Sequence, residues 1–298
     1  FGDDERNDDG KEREKKAVIA YVQANSGIIS LPEFMTITGQ DSARADAELM
    51  AFCAEFGGSP EATDDGVIVY RFEELLLRAR REDRSFGGLS APVAALKKFS
   101  ANTKGMNTGF GLINTFNLLF GSYFLYKAVN TGALFFGARS TISGIYEFVY
   151  YLLNHIALNP LPIIGVGLGL VPFVFSLLFW IIPAARSGLV KNENEKIKLE
   201  NLRRLGFGRI WSRPFEVKAA DIDAQAAECR PKNMGAARER VIKEMAVYSV
   251  PDVAVDEKGA VVYSFAGLAR EKESVEKCRA AVSEETSRLG GVVFDTGE

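Results

Sequence analysis

The sequence predicts an α+β membrane protein in which two small domains flank a helical transmembrane hairpin, with one amphipathic helix in the membrane interface. Residues 163–182 form an uncharged apolar run, and about 20 such residues cross a bilayer as a helix. Both ends of the chain are dense in charge, whereas residues 105–185 are almost uncharged. That middle section carries four acidic, basic or imidazole side chains: Lys127, Arg139, Glu147 and His155.

The overall charge and the cysteine content narrow the class of protein further. The 298 residues include 36 basic and 39 acidic side chains, a net charge of −3, so the chain has no general attraction for nucleic acid. The three cysteines are far apart and odd in number, which argues against a disulfide framework. We expect reduced thiols in a cytosol-like compartment.

The first domain is expected over residues 17–84, after a charged, disordered leader at residues 1–16. A helix should run from about Lys11 to Asn25 and be followed by a short strand at Ile28–Ile29. The sequence Ser30-Leu-Pro-Glu33 has the form of a capping box, which predicts a short helix to about Thr38.

The rest of that domain carries equally local signals. Asp41 can cap a helix over residues 42–56, and two glycines end that helix. Asp65–Gly66 is a turn signal, and the alternating segment that follows it predicts a hairpin. The order of helix, short strand, two helices and hairpin, over residues 15–77, resembles a winged helix. The resemblance lies in the order of elements, and it implies a fold in which the third helix often enters the DNA major groove.

A similar pattern returns after the apolar section, in a second winged-helix-like domain expected over residues 190–270. In register, Gly66, Tyr70, Phe72 and Leu75 match Gly259, Tyr263, Phe265 and Leu268. The expected parts are a helix to Gly206, a strand at 209–211, a helix over 219–229, an Asn233-capped helix over 234–247 and a hairpin over 253–265. We interpret this as an internal duplication, the alternative being that the hairpin pattern is a common one. A C-terminal helix and tail fill residues 271–298.

The middle of the chain is expected to hold a linker and the membrane region. The linker, residues 85–104, should include a short amphipathic helix over 92–99. The membrane region, residues 105–185, should contain spans at about 107–127 and 163–182 and an interfacial helix over 143–158, which a third span could replace. Gly165 and Gly169 suit close helix packing, and Asn114 and Asn117 should face protein rather than lipid. Pro172 should kink the second span.

The distribution of lysine and arginine predicts the orientation. Positive residues flank both spans on their outer sides, whereas the connection between the spans holds only Lys127 and Arg139. By the positive-inside rule, both termini should lie on the cytoplasmic side or its stromal or matrix equivalent.

The sequence offers no recognisable catalytic or metal-binding constellation. His155 is the single histidine, and Glu147 stands two helical turns from it. Paired cysteine or histidine spacings that hold zinc are not present, so we expect no metal, no cofactor and no enzymatic activity. Gly165-x-Gly-x-Gly169 lies inside an apolar run and fits helix packing better than phosphate binding.

These observations favour a membrane-anchored structural or interaction protein whose partners are membrane lipids and other proteins or a second copy. The first domain has four basic and eleven acidic residues between residues 14 and 74, a net charge of −7, which should repel DNA. One alternative is a membrane-tethered regulator that binds DNA through Arg238, Arg240 and Lys243, although these also fit a solvated, ion-paired helix face. Another is an accessory subunit of a channel or transporter that uses Asn114, Asn117 and Glu147.

Overall fold

The computed structural model describes residues 7–77, 89, 92–130 and 165–288, and these residues form a mixed α+β structure with two small sheets. The chain divides into two compact units. The helical unit contains residues 1–4 and 98–192, and the mixed unit contains residues 5–97 and 193–298. The interfacial helix expected over 143–158 lies outside the described residues, as does the tail after residue 288.

Within the described residues, the helical unit contains two helices with long apolar stretches. Helix α5 spans Lys104–Asn130, and helix α6, Val171–Ser212, begins in this unit after a π-helical turn at Gly165–Leu170. Pro172 follows a π-helical turn directly, and this local distortion of the helix accommodates the hydrogen bond that a proline without an N–H cannot make. Pro183 lies inside α6, which the sequence interpretation overlooked.

One stretch in the described residues, Gly167–Ser212, is long and apolar enough to cross a membrane. Its most apolar window is only 11% buried, unlike the core helix of a soluble protein. Helix α5, which was the expected first span, is 27 residues long but contains asparagine, glycine and threonine, which lower its apolar character.

The first part of the mixed unit, which we name the first module, follows the expected order of elements. Its elements are α1 (Gly10–Ala24), β1 (Ile28–Ile29), α2 (Leu31–Thr38), α3 (Ser42–Phe56), β2 (Ser59–Ala62), β3 (Ile68–Arg71) and α4 (Glu73–Leu77). Capping residues explain where helix α3 begins and ends. Asp41 Oδ1 accepts a hydrogen bond from the Arg44 N–H at 3.2 Å, and Gly57 ends α3 at φ 68°, as predicted.

The second module, residues 193–288, repeats this sheet. Its elements after α6 are β4 (Val217–Lys218), short 3-10 turns at Ala219–Asp221 and Ala227–Cys229, α7 (Met234–Tyr248), β5 (Asp252–Val255), β6 (Val261–Ser264) and α8 (Ala266–Arg288). Asn233 caps α7 as predicted, with its Oδ1 accepting from the Ala236 N–H at 3.3 Å.

The two antiparallel sheets share strand order and register. The orders are β1-β3-β2 and β4-β6-β5. Tyr70 pairs with Ile29 and Pro60, and Tyr263 pairs with Val217 and Val253. Both hairpins turn at a glycine with positive φ, Gly66 at 77° and Gly259 at 78°, which confirms the predicted turns.

The expected helix stop at Gly206 is wrong. Helix α6 continues through Gly206 to Ser212, so the strand expected at residues 209–211 is helical as well. A Cβ on Gly206 would lie 2.5 Å from Val241 Cγ1. The glycine therefore permits close packing of α6 against α7, and tertiary contact overrides its weak helix propensity.

Two further helix predictions are also wrong. Residues 219–229 form two short 3-10 turns instead of one helix. Residues 92–98 form no helix, because their backbone groups bond to side chains from distant parts of the chain, as described below.

The two modules share one hydrophobic core. The buried cluster joins Phe34, Phe52 and Phe72 of the first module with Phe207 and Phe265 of the second. Helix α6 forms much of this junction: a Cβ on Gly208 would lie 3.1 Å from Thr36 Cγ2 of α2. Cys53 and Cys229 are buried free thiols, and Cys278 is a half-buried one.

Candidate functional site

A polar cavity of about 880 Å³ opens between the two modules inside the mixed unit. Helices α1 and α2, the end of α6 and helix α8 surround it. Residues that line it include Tyr21, Glu33, Arg204, Trp211, Lys272 and Arg279. The cavity therefore combines charged and aromatic groups from both modules.

The buried carboxylate of Glu33 organises one wall of this cavity. Glu33 is 1% exposed and lies in the first turn of α2, where its Oε2 accepts from the Ser30 N–H at 3.0 Å, which is one half of the predicted capping box. Its Oε1 accepts from the Tyr21 hydroxyl at 2.7 Å, and Oε2 accepts from Arg279 Nη2 at 2.7 Å. Burial and the Glu33 charge raise the pKa of Tyr21, which remains a neutral donor.

Arg279 comes from α8 of the second module and reaches into the first. Its Nη2 also donates to the Ile28 carbonyl at 3.0 Å, and its guanidinium lies 5.6 Å from the centroid of the Tyr21 ring. One arginine thus holds the N-terminus of α2, strand β1 and helix α1 against the second module.

Arg204 of α6 forms the second buried junction. It is 4% exposed and makes an ion pair with Glu14, and its Nη2 donates to the Thr38 carbonyl at 3.0 Å. Burial raises the pKa of Glu14, and the charge of Arg204 opposes that rise. Arg204 Nη1 also donates to the Pro92 carbonyl at 2.7 Å, which brings the segment after the first module into the site.

Three asparagines hold that segment by its backbone. Asn201 Oδ1 accepts from the Ala94 N–H and its Nδ2 donates to the Ala94 carbonyl, both at 2.9 Å. Asn194 does the same to Lys97, at 2.8 Å and 2.9 Å. Asn7 does the same to Ala95, at 3.2 Å and 2.6 Å. We name Asn7, Asn194, Asn201 and Arg204 the asparagine clamp.

A second buried carboxyl lies where the first hairpin meets α8. Glu271 is 8% exposed, and its Oε1 accepts from the Tyr248 hydroxyl at 2.8 Å. Burial raises the pKa of Glu271 to about 7, with the Tyr248 hydrogen bond opposing the rise and the charge of Glu33 adding to it. Nearby, the hydroxyls of Ser274 and Thr63 are 2.9 Å apart.

The two arginines of the expected nucleic-acid face have hydrogen-bond partners within the protein. Arg238 donates through Nε to the Ile222 carbonyl at 2.8 Å and through Nη2 to Asp223 at 3.3 Å. Arg240 donates to Glu244 at 2.9 Å, and the same carboxylate pairs with Arg203. Lys243 lies on the same helix and is exposed, and the Arg240 side chain is 59% exposed.

The glycines expected at the helix-packing site of the helical unit differ in how closely they contact the neighbouring helix. A Cβ on Gly169 would lie 2.9 Å from the Leu125 backbone nitrogen, so this glycine does permit close approach of the two helices. Gly121 is the corresponding glycine of α5, which the sequence interpretation missed. A Cβ on Gly121 would lie 2.7 Å from the Phe173 backbone nitrogen. Gly165 lies in the π turn beside Gly169.

The two asparagines of α5, Asn114 and Asn117, differ in their burial. Asn114 is 7% exposed, and its Nδ2 donates to the Phe110 carbonyl of its own helix at 2.8 Å. Asn117 is half-buried. His155 and Glu147, considered above for proton or ion chemistry, lie outside the described residues.

Sequence reasoning missed the asparagine clamp and the Arg279–Glu33 pair. Both join residues about 90 to 250 positions apart, and no pattern in the neighbouring sequence identifies their partners.

The described residues contain no group of three or more histidine, cysteine or carboxylate side chains placed to hold a metal ion. Comparison with protein-family models, curated proteins and solved structures found no match.

Proposed function

We propose that this protein is a membrane-anchored interaction protein whose two winged-helix-like modules act together as one docking body at the membrane surface. The observation that carries the proposal is the composition of the mixed unit. That unit is assembled from residues 5–97 and 193–298, which precede and follow the helical unit in the chain. A chain that leaves a compact unit and returns to it must cross a membrane an even number of times.

The anchor is a helical hairpin in this proposal. The apolar part of α6 provides one span, and α5 provides the other, tolerated in lipid because its polar side chains bond to its own backbone. Thr115 and Ser122, for example, donate to the Gly111 and Leu118 carbonyls at 2.8 and 2.6 Å. Both modules then lie on the cytoplasmic or equivalent side, in agreement with the positive flanks.

We propose that the two modules arose by internal duplication. Support comes from the shared strand order, the matched tyrosine register and the two glycine turns. A further parallel is the hydrogen bond that closes each sheet, from the Phe72 N–H to the Gly27 carbonyl and from the Phe265 N–H to the Pro214 carbonyl, both at 2.8 Å.

The docking surface we propose is the outer edge of β5, with a second copy as its occupant. The edge strand of the first sheet carries Pro60, and proline on an edge strand blocks further pairing. The equivalent register position of β5 is Val253, which is 61% exposed, and Val255 beside it is 67% exposed. Two β5 edges can pair in antiparallel fashion about a twofold axis.

Site-specific crosslinking tests this function on the full chain in native membranes. A photoreactive residue at position 253 should give a dimer adduct, and one at the matched position 60 should not. The protein should also remain in the membrane pellet after alkaline extraction. A chain that is extracted by alkali, or that stays an uncrosslinked monomer from both positions, would contradict the proposal.

A further inference from the structure

The segment 92–97 is held as an extended peptide whose backbone, rather than its side chains, is recognised. The clamp residues bond to the main chain of Pro92, Ala94, Ala95 and Lys97. Val93 is 49% exposed. Lys97 also makes a side-chain ion pair with Glu193 at 2.9 Å, which lies at the surface, where such pairs contribute little.

The spacing of the clamp matches an extended chain. Asn194 and Asn201 are seven residues apart on α6, so they lie on one face of the helix, separated by about 10.5 Å along its axis. Their partners Lys97 and Ala94 are three residues apart, which is one turn of an extended polyproline II chain, spans about 9 Å and places both residues on the same side. The segment therefore runs antiparallel to α6 with each asparagine opposite one residue.

The chemistry of the asparagine amide explains how the contact works. Each amide offers one acceptor and donors in the same plane, which complement the N–H and carbonyl of a single extended residue. Asn201 is 1% exposed, and its Nδ2 also donates to the Glu228 carbonyl at 2.9 Å, which fixes the orientation of the amide. The side chain is thus oriented before any peptide is bound.

We propose that the asparagine clamp is a sequence-tolerant binding site for an extended peptide, and that residues 92–97 are its resident ligand in cis. Another extended peptide, with small residues at the positions of Ala94 and Ala95, binds the clamp when the resident segment is displaced. The inference is independent of the docking edge and of membrane orientation.

The resident segment competes strongly because it is tethered. A ligand in the same chain acts at an effective concentration in the millimolar range. Wild-type protein should therefore bind the peptide in trans only weakly. Ala94→Pro removes the N–H that donates to Asn201 and should open the clamp, which faster hydrogen exchange of the Ala95 and Lys97 amides would report.

The test uses the full chain in detergent and a fluorescent peptide with the sequence of residues 90–99. Fluorescence anisotropy should show saturable binding to the Ala94→Pro protein, at least about tenfold tighter than to wild type. A peptide methylated on the nitrogen of the residue matching Ala94 should lose at least about tenfold in affinity. Methylation at the residue matching Val93, whose N–H makes no hydrogen bond within the described part of the chain, should change the affinity little.

Protein variants give an independent readout. Adding Asn201→Asp to the Ala94→Pro protein replaces the Nδ2 donor by a carboxylate oxygen. Because this oxygen would face the peptide carbonyl, peptide binding should weaken at least about tenfold. Asn192→Asp makes the same change at an exposed position of α6 and should leave affinity unchanged. Absence of saturable binding to the folded, opened protein, or equal affinity of both methylated peptides, would overturn the proposal.

Discussion

Arg279 and Glu33 are 246 positions apart in the sequence, yet Arg279 Nη2 lies 2.7 Å from Glu33 Oε2 in the junction of the two modules. The carboxylate is 1% exposed and also binds the Ser30 N–H and the Tyr21 hydroxyl. Because Glu33 is so fully surrounded by donors, the stability of the first module depends on a residue near the end of the described chain.

Removing Arg279 should therefore destabilise the mixed unit. Arg279→Met leaves a buried carboxylate without its countercharge, and we expect a loss of about 3–5 kcal/mol in the free energy of unfolding. Urea unfolding of the detergent-solubilised protein measures it. Lys277→Met, on the exposed side of the same helix, is the matched control and should cause no measurable change. Equal stability of the two variants would refute the assigned role of Arg279.

The stability of the protein should fall as the pH rises from about 4.5 to about 7. Burial raises the pKa of Glu271 to about 7 from its ordinary value of 4.5, so the folded state retains a proton that the unfolded chain has lost. The stabilisation is complete below pH 4.5 and is lost as the pH rises through 7, on the order of 3 kcal/mol in all.

Glu271→Gln should remove this dependence and raise stability at pH 8 relative to wild type. Denaturation midpoints between pH 4.5 and 8 measure the effect, and Glu276→Gln, at an exposed position of the same helix, serves as the control. If wild type and Glu271→Gln kept parallel pH profiles, Glu271 would not be the titrating group.

Substitution of Gly206 should separate α6 from α7. The Cβ of Gly206→Ala would lie 2.5 Å from Val241 Cγ1, and we expect overpacking to cost about 1–3 kcal/mol. Gly188→Ala lies in the same helix with nothing within 4 Å of the new Cβ, and should be neutral or stabilising. Thermal denaturation of the two variants gives the comparison, and a stable Gly206→Ala protein would show that the contact can relax.

The full chain should not bind duplex DNA in a salt-dependent way. Arg238 and Arg240 pair with Asp223 and Glu244, whose negative charges offset the attraction of the arginines for phosphates. Electrophoretic mobility at low and high salt measures this, with Arg240→Ala/Lys243→Ala as the comparison. Binding that weakens steeply with salt and is lost in that variant would revive the DNA-binding alternative. The shared core makes the full chain the appropriate sample.

The elements that the sequence predicted well are those set by neighbouring residues. Asp41 and Asn233 cap their helices, and the glycines at 66 and 259 fix the hairpin turns. These signals act within a few positions, so they can be recognised without the rest of the fold.

The failures have a common physical cause, which is competition from distant contacts. Gly206 is a reasonable helix stop until Val241 packs against it, and residues 92–98 have a helical pattern until the asparagines supply their backbone partners. The capping role of Glu33 was local and predictable, whereas its pairing with Arg279 was not.

Site-directed labelling with a membrane-impermeant maleimide in sealed vesicles tests the proposed architecture most directly. Cysteines introduced at Asp64 and Lys258, exposed in the two hairpin turns, should react from the same face of the membrane, and one at Ser140, between the proposed spans, from the other. Reaction of the cysteines at 64 and 258 from opposite faces would contradict a single docking body on one side of the bilayer.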